Sequence, residues 1–268
     1  MAEFVEPRVY LFAWTRIDEF AVQEYLQSIG VYSWSTDAES DAEYLIEVGG
    51  RLCYASWEPG INKNVTRVRQ GNKNYIENII KSKHGSVLEH ATCSFLFQNV
   101  SRVFTAELNR HRAGCAISEA SLRYVRLDDL EAFHSEVFED RIINEKTSEA
   151  NVPTMAEYFL EKMEILESWQ KEMTNKFDLN NRSFEDKKII TSAMRRLAPL
   201  GLATNIMWTA NMRALRHILE LRTSIHSEEE IRFVFDKVGY ILQEKYPIIF
   251  GDFVRNENGE WQTPNSKI

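Results

Sequence analysis

The sequence predicts a single α+β domain, and three observations support this. Short apolar runs that favour strands are mixed with amphipathic helical stretches, with no regular strand–helix–strand rhythm. The 268 residues are 44% hydrophobic and 27% charged, which is typical of a globular chain with a large core. No repeat, low-complexity stretch or flexible linker interrupts the chain. We expect residues 1–268 to form one domain, with residues 1–8 and 254–268 at its periphery.

Four elements are predicted in the first half of the chain: a strand at Val9–Trp14, a helix at Asp41–Cys53, a helix at Asn74–Ser82 and a strand at Thr92–Gln98. The spacing of apolar residues gives the last three elements one apolar face each: Leu45, Val48 and Leu52; Ile76, Ile79 and Ile80; Cys93, Phe95 and Phe97. The first of the two helices is expected to end near the Gly49–Gly50 pair.

The second half is more clearly helical. Thr154 and Glu157 predict a capping box at the start of a long helix, and Ser227 and Glu230 predict a second one. Apolar residues recur every three or four positions in both helices: Met155, Phe159, Met163, Leu166, Trp169 and Met173 in the first, and Ile231, Val234, Phe235, Val238, Ile241 and Leu242 in the second. Both stripes are interpreted as core. The polar tail after Phe253 is expected at the surface.

The charge pattern excludes several classes of protein. Thirty-two basic and forty acidic side chains leave a net charge of −8, which argues against binding to nucleic acid polymers or anionic membranes. No run of apolar residues is long enough to span a membrane, and the first residues do not resemble a secretory signal. Cys53, Cys93 and Cys115 have no metal-like spacing and fit reduced thiols. We therefore expect a cytoplasmic protein without a metal site.

The most unusual segment is Glu107–Arg126. Arg110, His111 and Arg112 place three potential cations in a row, and the small residues Ala113–Ala116 let the backbone bend and approach a neighbour closely. We expect Val103, Glu107 and Arg110 to share one helical face, and Phe104, Leu108 and His111 another. A basic triplet is often only a solvated helix end, whereas the polar residues that follow favour a phosphate or nucleotide site.

Two other segments leave alternatives open. HGSVLEH (residues 84–90) contains two histidines and a glutamate, but its spacing differs from that of a zinc-binding helix. In NMRALRHILELR (residues 211–222), Asn211, Leu215, Ile218 and Arg222 share a helical face. A buried arginine needs either a ligand anion or a core carboxylate, and the sequence does not decide between them.

These three segments, in this order, resemble the flavin-dependent thymidylate synthases. The signature of that family is read here as Arg110-His111-Arg112 followed by Ser121-Leu122-Arg123-Tyr124. The likeness extends from about Gly49 to Phe253. In this chain the spacer after Arg112 is eight residues instead of seven, and we place the extra residue in the Ala113–Ala116 bend. Cys53 stands where the family often has serine near the flavin.

The resemblance implies a mixed or antiparallel sheet flanked by long helices, in a homotetramer whose active sites combine several subunits. It implies methylation of dUMP at C5 to dTMP, with methylenetetrahydrofolate as carbon donor and NADPH as reductant through FAD. The residues implied to bind FAD are His84, Ser86, Glu89, Arg110, His111, Arg112, Glu119, Asn211, Arg213 and His217. Those implied to bind dUMP are Glu107, Arg110, Glu119, Ser121, Arg123, Arg195 and Arg222. We assign catalytic roles to Arg222 and Ser121.

Three alternatives are kept. The first is an enzyme of the same fold that modifies another pyrimidine nucleotide or forms a different one-carbon adduct at C5. The second is a nucleotide-binding regulator without turnover, for which loss of charged site residues would be expected. The third is a thymidylate synthase with Cys115 as nucleophile, although no base is paired with Cys115 in the sequence. Ser121 is expected to hydrogen-bond dUMP without forming a covalent bond to it.

Overall fold

The computed structural model describes residues 2–127, 129–139 and 154–268. In these ranges the strands are β1 (Glu3–Val5), β2 (Arg8–Trp14), β3 (Thr92–Ser101), β4 (Cys115–Glu119), β5 (Glu131–Phe133), β6 (Ala203–Asn211), β7 (Val254–Arg255) and β8 (Trp261–Gln262). The α-helices are α1 (Glu19–Ser28), α2 (Asp41–Tyr54), α3 (Asn72–Lys81), α4 (Arg102–Leu108), α5 (Met155–Lys176), α6 (Phe184–Met194), α7 (Met212–Arg222) and α8 (Glu229–Lys245). None of the described helices is long and apolar enough to cross a membrane.

The main sheet has four antiparallel strands in the order β2-β3-β6-β4, which confirms the α+β class and the antiparallel arrangement. Cys93, Phe95 and Phe97 of β3 are fully buried, as the alternation predicts. Together with Trp208 of β6 they form the centre of the core, against which α7 and α8 pack. β1 pairs separately with β5 in a parallel two-stranded sheet.

Helix α2 differs from its prediction in two ways. It continues through Gly49 and Gly50 to Tyr54. A Cβ atom at Gly50 would lie only 2.8 Å from the Tyr75 hydroxyl, so the glycine allows this close contact and does not end the helix. Its buried face carries Glu47 and Arg51, which form an ion pair at 2.6 Å, whereas Leu52 is 54% exposed. The stripe of Leu45, Val48 and Leu52 is therefore not the core face of α2. The buried ion pair, whose charges neutralise each other, occupies the core side of the helix instead.

Helix α5 has the predicted capping box, with Thr154 and Glu157 bonded reciprocally. The predicted core stripe is wrong in part: Met163 is buried, but Trp169 is 48% exposed. The buried face includes Glu167 and Gln170, whose side chains bond the Leu130 amide and the Met194 carbonyl. The buried face of α5 therefore differs from the predicted apolar stripe, because it includes these two polar side chains.

Helix α8 has the predicted buried face, from Ile231 to Leu242, but not the predicted cap. Glu228 caps the helix, the Ser227 hydroxyl donates to the Leu221 carbonyl, and Glu230 is buried. The Glu230 carboxylate accepts hydrogen bonds from the amide nitrogen of Ser101, at 2.6 Å, and from its hydroxyl. Since Ser101 caps α4, one carboxylate joins the starts of two helices.

The tail was expected at the surface, and this is wrong at Trp261. The Trp261 ring is 1% exposed and packs on the core, where Gly239 of α8 leaves room for it. Thr263 and Asn265 donate hydrogen bonds to Asp252, which forms a bidentate pair with the buried Arg216 of α7. The last residues therefore help to fix the helix that carries the candidate site.

Burial raises the pKa of Glu230 to about 7, even though the bonds from Ser101 favour the charged carboxylate. Because this is above the usual pKa of 4.5 for an unperturbed glutamate, the folded protein binds the proton more tightly than the unfolded chain. Stability from this group is present at low pH and lost as the pH rises towards 7. Relative to the wild type, Glu230→Gln should gain up to ~3 kcal/mol between about pH 4.5 and 7.

Denaturant unfolding at several pH values measures this difference. Glu244→Gln, at an exposed position of the same helix, is the matched control and should follow the wild type. A wild-type curve parallel to that of Glu230→Gln would contradict the assignment.

Candidate active site

A cavity of about 590 Å³ lies between the turn at Arg110–Gly114 and the first half of α7. Seven of the ten residues predicted to bind FAD line it: Glu89, Arg110, His111, Arg112, Asn211, Arg213 and His217. Ala113, Gly114, Ala214, Ile218, Lys267 and Ile268 complete the lining. The sequence reasoning missed Lys267 and Ile268, since a polar tail carries no periodic signal that would place it at a cavity.

The turn and the helix are held together at Asn211. Its side-chain oxygen accepts from the Ala214 amide at 2.8 Å and caps α7, while its backbone amide donates to the Gly114 carbonyl at 3.0 Å. Gly114 has a φ of +71°, and a Cβ atom there would lie 2.4 Å from Asn211 Nδ2. The small residue therefore permits the close backbone approach that the sequence predicts, with Asn211 as the neighbour.

Both the helix and the bend around the basic triplet are shorter in the structure than predicted. Helix α4 ends at Leu108, so Arg110 and His111 belong to the turn that follows and do not continue the predicted helical faces. Cys115 and Ala116 already pair with β6 as part of β4, which leaves only Ala113 and Gly114 of the predicted bend in the turn. Burial raises the pKa of the Cys115 thiol, which disfavours the thiolate that a nucleophile needs.

Arg222 is 8% exposed, and each of its three nitrogens donates a hydrogen bond to Glu107 or His111. Its Nη1 lies 2.6 Å from Glu107 Oε2, its Nη2 donates to the Glu107 carbonyl at 3.0 Å, and its Nε donates to His111 Nε2 at 2.6 Å. The carboxylate partner of Arg222 is thus itself a predicted dUMP ligand. Of the two alternatives left open, the structure shows a carboxylate partner, and this partner lies beside the cavity.

The pKa of His111 is lowered to about 4, mainly by burial and in addition by the neighbouring Arg222 and His217. His111 is therefore neutral at pH 7, with Nε2 free of a proton so that it can accept the bond from Arg222. On the opposite wall, Arg213 pairs with Glu89 at 2.5 Å and donates to the Ile268 carbonyl. The permanent positive charge of the cavity comes from its arginine and lysine side chains.

The remaining predicted ligands lie elsewhere in the chain. Glu119 pairs with Arg102 at 2.5 Å, at the far end of β4 from Cys115. Near that end the Arg123 carbonyl accepts from Thr191, and Arg195 follows α6. His84 does not line the cavity; its ring lies 6.0 Å from that of Tyr54. One chain thus divides the predicted ligands into two main groups, with Ser121, Arg123 and Arg195 away from the cavity. Ser86 is exposed and does not line the cavity.

Comparison with known proteins gives a consistent result. Residues 36–248 match the Thy1 family, described as thymidylate synthase complementing protein. A protein of Mycobacteroides abscessus named flavin-dependent thymidylate synthase is 33% identical over 258 residues, which cover 94% of this chain and 92% of the relative. Proteins with the same name from Mycobacterium avium and Corynebacterium efficiens are 33% and 31% identical; their alignments cover 94% and 82% of this chain, and 92% and 83% of the relatives.

The contact between Gly114 and Asn211 gives a test of the cavity. Gly114→Ala should destabilise the chain by ~1–2 kcal/mol through its positive φ. It should also displace Asn211 and weaken flavin binding by more than about tenfold, because the added methyl group meets the amide that caps α7. Thermal unfolding and flavin fluorescence titration measure the two effects.

Gly30→Ala is the matched control. Gly30 has a similar φ of +78°, and no heavy atom lies within 4 Å of the Cβ position. This variant should lose stability without losing flavin affinity. Equal flavin affinity in the two variants would show that the contact with Asn211 does not shape the cavity.

Proposed function

The chain belongs to the Thy1 family of thymidylate synthase complementing proteins, and we propose that it is a flavin-dependent thymidylate synthase. The observation that carries the proposal is the convergence of seven predicted flavin ligands on one cavity, next to the Arg222–Glu107–His111 cluster. The reaction is the reductive methylation of dUMP at C5 to dTMP, with methylenetetrahydrofolate as carbon donor and NADPH as the source of reducing equivalents.

The cavity fits a cofactor that carries phosphate groups. Arg110, Arg112 and Lys267 bring positive charge to the lining of a protein that is acidic overall, and the Arg110 side chain is 72% exposed and available to an anion. When bound, FAD supplies hydride transfer. Asn211, Arg213 and His217 would hold it from α7, and the Arg-His-Arg turn would hold it from the opposite side.

Arg222 is suited to stabilise the pyrimidine during reaction. Glu107 and His111 fix the plane of its guanidinium, so the orientation of its donors is set before the substrate binds. A uracil ring that is reduced or attacked develops negative charge on its oxygens. A preorganised donor that meets this charge stabilises the transition state more than the ground state. Ser121 would contribute a hydroxyl hydrogen bond to dUMP.

The division of the ligands supports a site shared between subunits. Cys115, next to the cavity turn, and Glu119 are four residues apart on β4, about 13 Å at the usual rise of a strand. Arg123 and Arg195 lie near Glu119. They would therefore reach a pyrimidine held by Arg222 if they and that Arg222 belong to different subunits. Apolar side chains at the surface, such as Phe12, Leu52 and Trp169, offer area for such contacts. We propose a homotetramer that completes each site.

The function is tested by product formation. Purified protein with FAD should show a flavin spectrum that bleaches with NADPH, and dTMP should appear only when dUMP and methylenetetrahydrofolate are both present. Product identification by mass spectrometry distinguishes the alternatives. A C5 adduct other than methyl would favour the related enzyme of the same fold, and absence of flavin binding would refute the proposal.

The shared site is tested by mixing two chains of impaired activity, assayed at a dUMP concentration below saturation. Arg222→Lys keeps the charge but loses the planar donor arrangement, so turnover should fall by about a hundredfold while FAD binding and the melting temperature stay near wild type. Arg123→Ala should weaken dUMP binding. After unfolding and refolding the chains together in equal amounts, about a quarter of the sites would combine both wild-type residues and recover activity.

Chains refolded separately and then mixed without exchange are the control. If mixed oligomers form and remain inactive, Arg222 and Arg123 do not serve one site from different subunits. A lower melting temperature with nearly normal turnover in Arg222→Lys would indicate that Arg222 only ties α7 to Glu107.

A further inference from the structure

A second pocket of about 500 Å³, here called the loop pocket, lies between the loop that follows α2 and the helix α3. Its lining includes Tyr54, Arg67, Arg69, Asn78 and His84. Of these, only His84 belongs to the ligands implied by the family resemblance.

The charge of this region is opposite to that of the whole chain. Residues 63–83 contain six basic side chains and one acidic side chain, in a protein whose net charge is −8. Arg67 is exposed and makes no hydrogen bond or ion pair with the part of the chain that the structure describes. Arg69 donates to Asn78 Oδ1 at 2.9 Å, which holds its guanidinium at the pocket wall. The pocket therefore presents two arginine side chains to an anion.

A buried guanidinium fixes the loop that carries these arginines. Arg51 is 2% exposed; its Nη1 donates to the Ser56 carbonyl at 2.8 Å and its Nη2 to the Arg69 carbonyl at 2.9 Å. The two ends of the loop are thereby held together. Glu47 neutralises Arg51, and the Tyr75 ring lies 4.5 Å from its guanidinium carbon. Preorganisation of this kind lowers the entropy cost of binding a ligand.

The loop pocket and the main cavity lie on either side of the peptide that joins His84 to Gly85. His84 lines the loop pocket, and a Cβ atom on the next residue, Gly85, would lie 2.9 Å from Nε of Arg213, a residue of the main cavity. An extended ligand with its reactive end in the main cavity would need to cross only the His84–Gly85 segment to place its other end against Arg67 and Arg69.

We propose that the loop pocket binds the multiply charged anionic tail of a co-substrate that reacts in the main cavity. This inference rests on the proposed function, which supplies two sources of such a tail. One is the glutamate chain of the folate, and the other is the 2′-phosphate of NADPH. Both present two or more negative charges at the end of an extended molecule, which suits two adjacent arginines.

Equilibrium binding tests the inference without relying on turnover. Tryptophan fluorescence is titrated with tetrahydrofolate carrying one or five glutamates, and with the oxidised dinucleotides NADP+ and NAD+, which differ in the 2′-phosphate and do not reduce the flavin. The wild type should bind the pentaglutamate about tenfold more tightly than the monoglutamate if the folate tail is the ligand, and Arg67→Gln with Arg69→Gln should abolish that difference. If the 2′-phosphate is the ligand, the same variant should abolish a preference for NADP+ over NAD+.

Lys73→Gln is the matched control, because Lys73 is an exposed cation of the same segment outside the pocket lining. It should keep the wild-type preferences, and the melting temperatures of all variants should show that they fold. Equal affinities within both ligand pairs in the wild type, or preferences that survive in the double variant, would overturn the inference. The formation of dTMP by the wild type reports separately on the proposed function.

Discussion

The corner where β6 becomes α7 controls the geometry of the candidate site. Asn211 ends a strand paired on both sides, caps the helix that follows and contacts Gly114 in the turn after Arg112. Because a single residue makes all these contacts, the sheet, the helix and the Arg-His-Arg turn keep one relative position. The buried pair of Arg216 and Asp252 fixes the same helix from its other side. The cavity is therefore bounded by elements that are hard to displace separately.

A second principle is the use of paired charges to aim other groups. Arg222 is neutralised by Glu107, yet it remains beside the cavity, where it positions His111. Arg51 is neutralised by Glu47, and its remaining donors hold a loop. Buried ion pairs are weak evidence of net stability, because desolvation offsets much of their attraction. In this chain the clearest effect of the two ion pairs is on position. Each pair aligns backbone or side-chain groups that apolar packing alone would leave free to move.

The sequence predicted the α+β class, the central strand β3 and the face of α7, because these elements bury apolar residues at a regular spacing. It failed on α2 and α5, where Glu47, Arg51, Glu167 and Gln170 occupy the buried side. A periodicity argument places polar residues outside, and it has no means of recognising partners distant in sequence. The seven cavity residues were assigned through family resemblance. The separation of Arg123 and Arg195 from the cavity depends on tertiary structure, which no spacing in the sequence expresses.

The neutral state of His111 limits its contribution to the charge of the cavity. With its proton lost at about pH 4, His111 adds no charge at neutral pH to the four permanent cations of the lining, Arg110, Arg112, Arg213 and Lys267. Arginine and lysine side chains keep their charge throughout the physiological range, up to about pH 9. The potential that these five side chains offer to a phosphate is therefore almost constant under the acid and alkaline shifts that cells experience. His111, although it lies at the centre of a basic triplet, cannot make the attraction for a phosphate depend on intracellular pH.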